Sequence, residues 1–218
     1  MANSVVVLMA PQGAGKGTQA HLLSETLGLP VIATGDILRK IAEEDSDLGR
    51  TVKTAQAAGQ LVPDSVLDDV INDRIRRGDC DSGCIFDGFP RTLPQAEFLD
   101  ELAKQKHLSI TVVNISVPRE TLLKRLAGRR MCPACGTLYN VYFKPPKREG
   151  YCDLDGKDLV TREDDNEESI ERRLNLFREK TRPLLEYYRS SERLRQIDGL
   201  GEADEVYRRI LDSIQPPA

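Results

Sequence analysis

A continuous apolar run from Ser4 to Ala10 leads into Gly13-Ala14-Gly15-Lys16-Gly17-Thr18, and a helical pattern follows from Lys16 to Leu27. No other feature restricts the possible folds so strongly. A short Val-rich run without polar interruption reads as a strand buried on both faces, the environment of a parallel sheet. Glycines in the turn after it let successive backbone N–H groups point inward around an anion, because no Cβ blocks the approach. The helix N-terminus adds about half a positive charge. Lys16 supplies a full charge, and Thr18 offers a hydroxyl to Mg²⁺ or to phosphate. The segment therefore reads as a phosphate cradle. It departs from the strict pattern of such loops: Ala10 stands where a first glycine belongs, and Gly17 follows Lys16 directly.

The rest of the chain continues the alternation. Gly28 stops the first helix, with Pro30 just beyond it. Residues Leu29 to Ala33 read as a second strand. Asp64 is the expected N-cap of a helix with Val66, Leu67, Val70, Ile71 and Ile75 at helical spacing, ended by Gly78. Cys84 to Phe86 and Thr111 to Ile115 repeat the buried-strand pattern. Strands alternating with helices predict an α/β fold with a parallel sheet. Met131 to Val160 breaks the rhythm with Cys, Gly, Pro-Pro and Tyr, and reads as an inserted module. A long helix is expected from Asn166 to Arg189, capped by Asp165 with Glu168 completing a capping box. Arg195 to Ile197 reads as the last strand and Ala203 to Ile214 as the last helix.

Composition narrows the function. The 218 residues carry 31 Lys and Arg against 35 Asp and Glu, a net charge of −4, which disfavours a bulk nucleic-acid binder. Aromatics are 5% and Trp is absent, so base-stacking platforms are not expected. No run reaches the ~18–20 apolar residues of a bilayer span. The start of the chain has no basic leader and no cleavage site, so a cytoplasmic protein without membrane partners is expected. The five cysteines, Cys80, Cys84, Cys132, Cys135 and Cys152, then lie in a reducing compartment, where closely paired cysteines hold metal more often than they form disulfides.

Cys132-x2-Cys135, sixteen further residues and Cys152-x2-Asp155 have the ligand spacing of a structural zinc ribbon with one carboxylate. Four filled positions leave none for water, so the metal is expected to be structural. Cys80 and Cys84 have no partner pair and read as ordinary thiols. His21 and His107 have no supporting cluster.

Further groups recur after the predicted strands. Thr34-Gly35-Asp36-Ile37-Leu38-Arg39 follows the second. Gly59-Gln60-Leu61-Val62-Pro63-Asp64 precedes the next helix. Asp87-Gly88-Phe89-Pro90-Arg91-Thr92, with Gln95 and Ala96, follows the third. Arg125 and Arg129 lie one helical turn apart before the insertion. Arg162, Asp164, Asp165 and Arg173 come after it. Taken with Met9 to Ala20, these segments resemble the adenylate kinases, a family of P-loop nucleoside monophosphate kinases, in their long-lid bacterial form whose zinc-type lid carries three cysteines and one aspartate. The resemblance covers nearly the whole chain, with Ala10 for a usual Gly and Gln12 for a usual Pro.

That resemblance implies a three-layer P-loop fold around a five-stranded parallel sheet. The core would comprise residues 1–33, 63–128 and 163–218, with an AMP-binding helical insertion at 34–62 and a small β-rich zinc lid at 129–162. It implies the reaction MgATP + AMP ⇌ 2 ADP, with Mg²⁺ carried by ATP, structural Zn²⁺ in the lid, and a monomer. Gly13, Ala14, Gly15, Lys16, Gly17, Thr18, Arg125, Arg129, Leu138, Tyr139 and Gly201 would serve ATP. Thr34, Gly35, Arg39, Gln60, Leu61, Val62, Gly88, Phe89, Pro90, Arg91, Gln95, Arg162 and Arg173 would serve AMP. Asp36 and Asp87 would hold the water shell of Mg²⁺. Lys16, Arg91, Arg129, Arg162 and Arg173, with the acidic pair Asp164 and Asp165 at the lid hinge, would form the catalytic set. Another nucleoside monophosphate kinase, or a GTP-dependent relative, is the nearest alternative. A zinc-ribbon nucleic-acid-binding protein is the alternative from a different class.

Overall fold

The six residues of the first strand, β1 (Ser4–Met9), are all buried, and their alternation divides the core in two. Val5, Val7 and Met9 point to one face of the sheet, and Val6 and Leu8 to the other. In this computed structural model, which describes residues 3–162 and 165–215, β1 is the central strand. Around it lie β2 (Val31–Ala33), β3 (Gly83–Asp87), β4 (Ser109–Ser116) and a late strand at Leu194–Asp198. They form a five-stranded parallel sheet in the order β2, β3, β1, β4, then the late strand. The register sets Val6 between Ile85 and Thr111.

Helices cover both faces. On the Val5 face lie α4 (Asp64–Ile75) and α5 (Leu93–Gln105), through Leu67, Ile71, Ala96 and Leu99, along with Tyr188 from a later helix. On the Val6 face lie α1 (Lys16–Leu27) and α6 (Arg119–Ala127), through Ala20, Leu23 and Leu122, along with Ile210 of the last helix. The result is the expected three-layer α/β architecture. Two short helices, α2 (Thr34–Ala42) and α3 (Asp47–Ala57), sit between β2 and α4 and pack on each other.

The module after α6 contains an antiparallel pair, β5 (Arg129–Met131) and β6 (Leu138–Asn140), closed by bridges between Met131 and Val160 and between Tyr151 and Asp158. The chain ends with α7 (Glu167–Leu176), α8 (Leu184–Ser190), the fifth sheet strand β7 (Leu194–Asp198) and α9 (Ala203–Ile214). Among the described residues no helix is long and apolar enough to cross a membrane.

Four expectations need correction. The helix expected over residues 166–189 is interrupted. After α7 the backbone widens into a π-helical turn at Phe177–Thr181, and Arg182 N–H bonds to the Phe177 carbonyl five residues back. Pro183 is the cause, since it has no N–H to continue the ladder. Asp165 does not cap α7. Asn166 does, its side chain accepting from Ser169 N–H at 2.9 Å, and Glu168 pairs with Arg172 instead of closing a capping box. Asp64 is the first helical residue of α4 and Pro63 its N-cap. The second strand begins at Val31, two residues after the expected start.

Candidate functional site

The carboxyl ends of parallel strands gather at one edge of the sheet, where ligands collect in open α/β folds. Here that edge brings together the glycine loop after β1, Thr34 after β2, and Asp87-Gly88 at the end of β3. Gly15 is left-handed at φ 94° and caps α1. Gly13, at φ 85°, sits so near α6 that a Cβ there would lie 2.9 Å from Leu126 Cγ. The first-turn N–H groups of α1 have no acceptors within the helix and face the loop. Lys16 folds over the loop, its Nζ donating to the carbonyls of Ala10 at 2.8 Å and Pro11 at 3.0 Å. Burial pushes its pKa down to about 8; Asp87 opposes that shift, while Arg91 and Arg129 add to it. One lysine, one carboxylate and two arginines therefore share one field. Asp87 faces the loop, with Oδ2 3.4 Å from where a Cβ on Gly17 would stand.

The next group is built on Gly88. Its φ of 86° excludes most side chains, and a Cβ would come within 3.0 Å of both Arg91 Nη2 and Thr34 Oγ1. Arg91 Nε donates to Gly88 O at 2.7 Å, and Thr34 Oγ1 donates to Asp87 O at 3.2 Å. Gln95 is buried, accepting from Arg91 N–H at 2.7 Å and donating to Asp64 at 2.5 Å. Burial holds the Arg91 pKa below its usual value; Asp87 opposes this, and Arg173 and Arg39 reinforce it. Arg39 pairs with Asp36 on its own helix. Phe89 is a core side chain, 5.3 Å ring to ring from Phe86. Pro90 and Val62 are buried as well, whereas Gln60 is exposed and Leu61 half-buried.

Arg129 forms a two-pronged ion pair with Asp165, its Nε at 2.6 Å from Oδ2 and its Nη2 on Oδ1. The Asp165 side chain is fully shielded from solvent and both its oxygens are taken by Arg129, so it does not serve as a helix cap. Gln12 reaches the same carboxylate and also accepts from Arg173 at 2.9 Å. Arg162 is half-buried and its carbonyl accepts from Asp165 N–H. Asp164 lies outside the described residues.

At the opposite end, Arg125 Nη2 donates to Gly199 O at 3.3 Å, beside Gly201. Burial lowers the Arg125 pKa. Its guanidinium lies 5.7 Å from the Phe143 ring, and Asn140 Nδ2 donates to Arg125 O at 2.7 Å. Leu138 is exposed. Tyr139 is buried, its hydroxyl accepting from Asp153 N–H at 2.8 Å, so its side chain belongs to the module's own core. Gly17 and Thr18 are exposed at the start of α1. Gln12, Asn140 and Phe143 are the residues that sequence reasoning missed. Gln12 carried a signal, as an unusual residue at the start of the loop. Asn140 and Phe143 carried none, because only the folding of the module after α6 brings them to Arg125.

The insertion presents Cys132, Cys135, Cys152 and Asp155 with their ligand atoms all within 4.8 Å of one another. A zinc tetrahedron with thiolate bonds of ~2.3 Å places its sulfurs about 3.8 Å apart. Cys135 and Cys152 Sγ are 3.6 Å apart, and Cys132 Sγ lies 3.3 Å from an Asp155 oxygen. The donor set and its spacing fit a zinc ion.

Comparison with known proteins agrees with this geometry. The adenylate kinase family model matches residues 8–193. A protein named adenylate kinase from Clostridium perfringens (strain SM101 / Type A) is 44% identical over 206 residues, covering 94% of this chain and 95% of its own. One of the same name from Clostridium novyi (strain NT) is 43% identical over 211 residues, covering 96% and 98%. Another, from Staphylococcus epidermidis (strain ATCC 35984), is 43% identical over 208 residues, covering 95% and 97%. With a family match over most of its length and relatives at this identity, the chain belongs to the adenylate kinase family.

Proposed function

We infer that the protein is an ATP:AMP phosphotransferase, catalysing MgATP + AMP ⇌ 2 ADP. The observation that carries this is the convergence of Lys16, Arg91, Arg129 and Arg173 on one cleft in a molecule of net charge −4. Phosphoryl transfer asks little covalent chemistry of a protein; it asks for alignment and neutralisation of phosphate charge. Lys16 and the loop amides from Gly13 to Thr18 hold donor phosphates. Arg125, the backbone at Leu138 and Tyr139, and Gly201 face the donor base. On the acceptor side, Arg39 and Arg91 hold the phosphate. Thr34, Gly35, the Gln60–Val62 backbone, Gly88 and Gln95 surround the nucleoside, on a floor fixed by Phe89 and Pro90. Arg129, Arg162 and Arg173 stabilise the group in transit, because a guanidinium binds phosphate with two parallel bonds and stays charged.

Mg²⁺ entering with ATP would offset the negative charge of the phosphates. Asp87, with Asp36, would accept hydrogen bonds from its water shell. The residues from 129 to 162 act as a lid that excludes water, since hydrolysis competes with transfer. Zinc held by Cys132, Cys135, Cys152 and Asp155 would stiffen a lid with few apolar residues. The residues from 34 to 62 close over AMP. Family likeness supports a cytoplasmic monomer.

Lys16 gives the reaction a pH dependence. A lysine that titrates near 8 in the empty cleft loses its charge above that pH, while a bound phosphate favours the charged form. KM for ATP should therefore rise from pH 8 toward 10, approaching tenfold per unit. Lys16→Arg, which stays charged throughout, should flatten that rise in a KM–pH series.

The reaction itself is tested by a coupled assay of ATP and GTP against AMP, CMP, GMP and UMP. Turnover confined to ATP with AMP supports the assignment. Preference for GTP or another monophosphate would move the protein elsewhere among the nucleoside monophosphate kinases.

A further inference from the structure

Gln12 stands at the start of the glycine loop, half-buried, where the family resemblance leads one to expect proline. Its carboxamide offers both polarities and uses both. Nε2 donates to Asp165 Oδ1 at 3.5 Å, and Oε1 accepts from Arg173 Nη1 at 2.9 Å. The neighbours dictate this orientation, since a carboxylate only accepts and a guanidinium only donates. The same Asp165 carboxylate holds both prongs of Arg129. One neutral side chain therefore joins the loop to two arginines, one at the lid hinge and one on α7.

Neutrality and length both matter here. A carboxylate at position 12 would face Asp165 and offset the charge of Arg173. A side chain without polar atoms would remove the bond that ties Arg173 to the loop. With the Asp165 carboxylate engaged by Arg129, the amide is a direct bond between Arg173 and the start of the loop.

We propose that Gln12 is a positioning residue for phosphoryl transfer, holding Arg173 against the glycine loop and toward the phosphoryl group in transit. The proposal rests on the reading of Arg173 as a phosphate-binding arginine. It concerns orientation within the catalytic step, so its effect belongs in kcat more than in KM.

Four proteins test it: Gln12→Met, which keeps the length without the hydrogen bonds; Gln12→Glu; Arg173→Lys; and the Gln12→Met/Arg173→Lys double variant. Gln12→Ala stands in if the Met variant folds poorly, and thermal melting of each sets the folded fraction. Gln12→Met should lower kcat about tenfold, the scale of one hydrogen bond to a charged group, with KM for ATP and AMP within about twofold. Gln12→Glu should lower kcat further. In the Arg173→Lys background, Gln12→Met should cost less than about twofold more, because the group it positions is already gone. Wild-type kcat in Gln12→Met beside a slow Arg173→Lys overturns the proposal alone, as does an undiminished tenfold cost in the double variant. Wild-type kcat in Arg173→Lys removes the arginine reading and this proposal with it.

Discussion

Lys16→Met should lower turnover by ~10²- to 10³-fold, the scale of removing one preorganised donor from a developing anion. The fold should survive, because the lysine contributes no apolar packing that Met cannot supply. Its two hydrogen bonds go to carbonyls of Ala10 and Pro11 at the cleft floor. Stability should in fact favour the variant below pH 8. The folded protein lowers the lysine pKa from 10.5 to about 8, so the charged form is disfavoured on folding. That penalty is fully present below pH 8, shrinks as pH rises, and disappears above 10.5. Melting curves of the two proteins should differ most near neutral pH and converge in alkali. A Met variant with wild-type turnover would remove Lys16 from the mechanism.

The second large effect is thermal. Chelation should release zinc and lower the melting temperature far more than it lowers turnover measured cold. The lid core among the described residues comprises Cys132, Tyr139 and Cys152, with Leu159 packed against it. Such a cluster cannot hold some thirty residues rigid, and a structural zinc can supply ~10 kcal/mol to a small module. Because the lid is one part of a larger domain, only some of that reaches global melting. At 2–4 °C per kcal/mol for a chain of this size, a drop on the order of 10 °C is expected. Cys152→Ser should reproduce the chelator effect, since it removes a buried ligand. An unchanged melting temperature in metal-free protein, verified by elemental analysis, would refute a structural metal. Equal loss of stability and cold turnover would refute a role confined to rigidity.

What could be read in the sequence was local. The bounds of α1 and α9 follow from apolar periodicity and, for α1, from Gly28, and both match residue for residue. The meeting of Cys132, Cys135, Cys152 and Asp155 was legible because ligand spacing along the chain fixes how two turns can face each other. The misreadings arose where distant contacts overrode local signals. Asp165 and Asn166 are both good helix caps, and only the approach of Arg129 from 36 residues away decides between them. Apolar positions continue at helical spacing across Pro183, which hid the break between α7 and α8. The Gln12 bridge joins residues 161 positions apart, and no window of sequence contains both.

A triphosphate donor and a monophosphate acceptor must meet inside one positive cleft of an acidic protein if this account is right. A crystal structure with a bisubstrate dinucleotide, two adenosines joined through a polyphosphate, measures that directly. The polyphosphate should run from Lys16 to Arg91, with one adenosine near Gly201 and the other near Thr34. Density for the ligand anywhere other than between Lys16 and Arg91 would contradict the account.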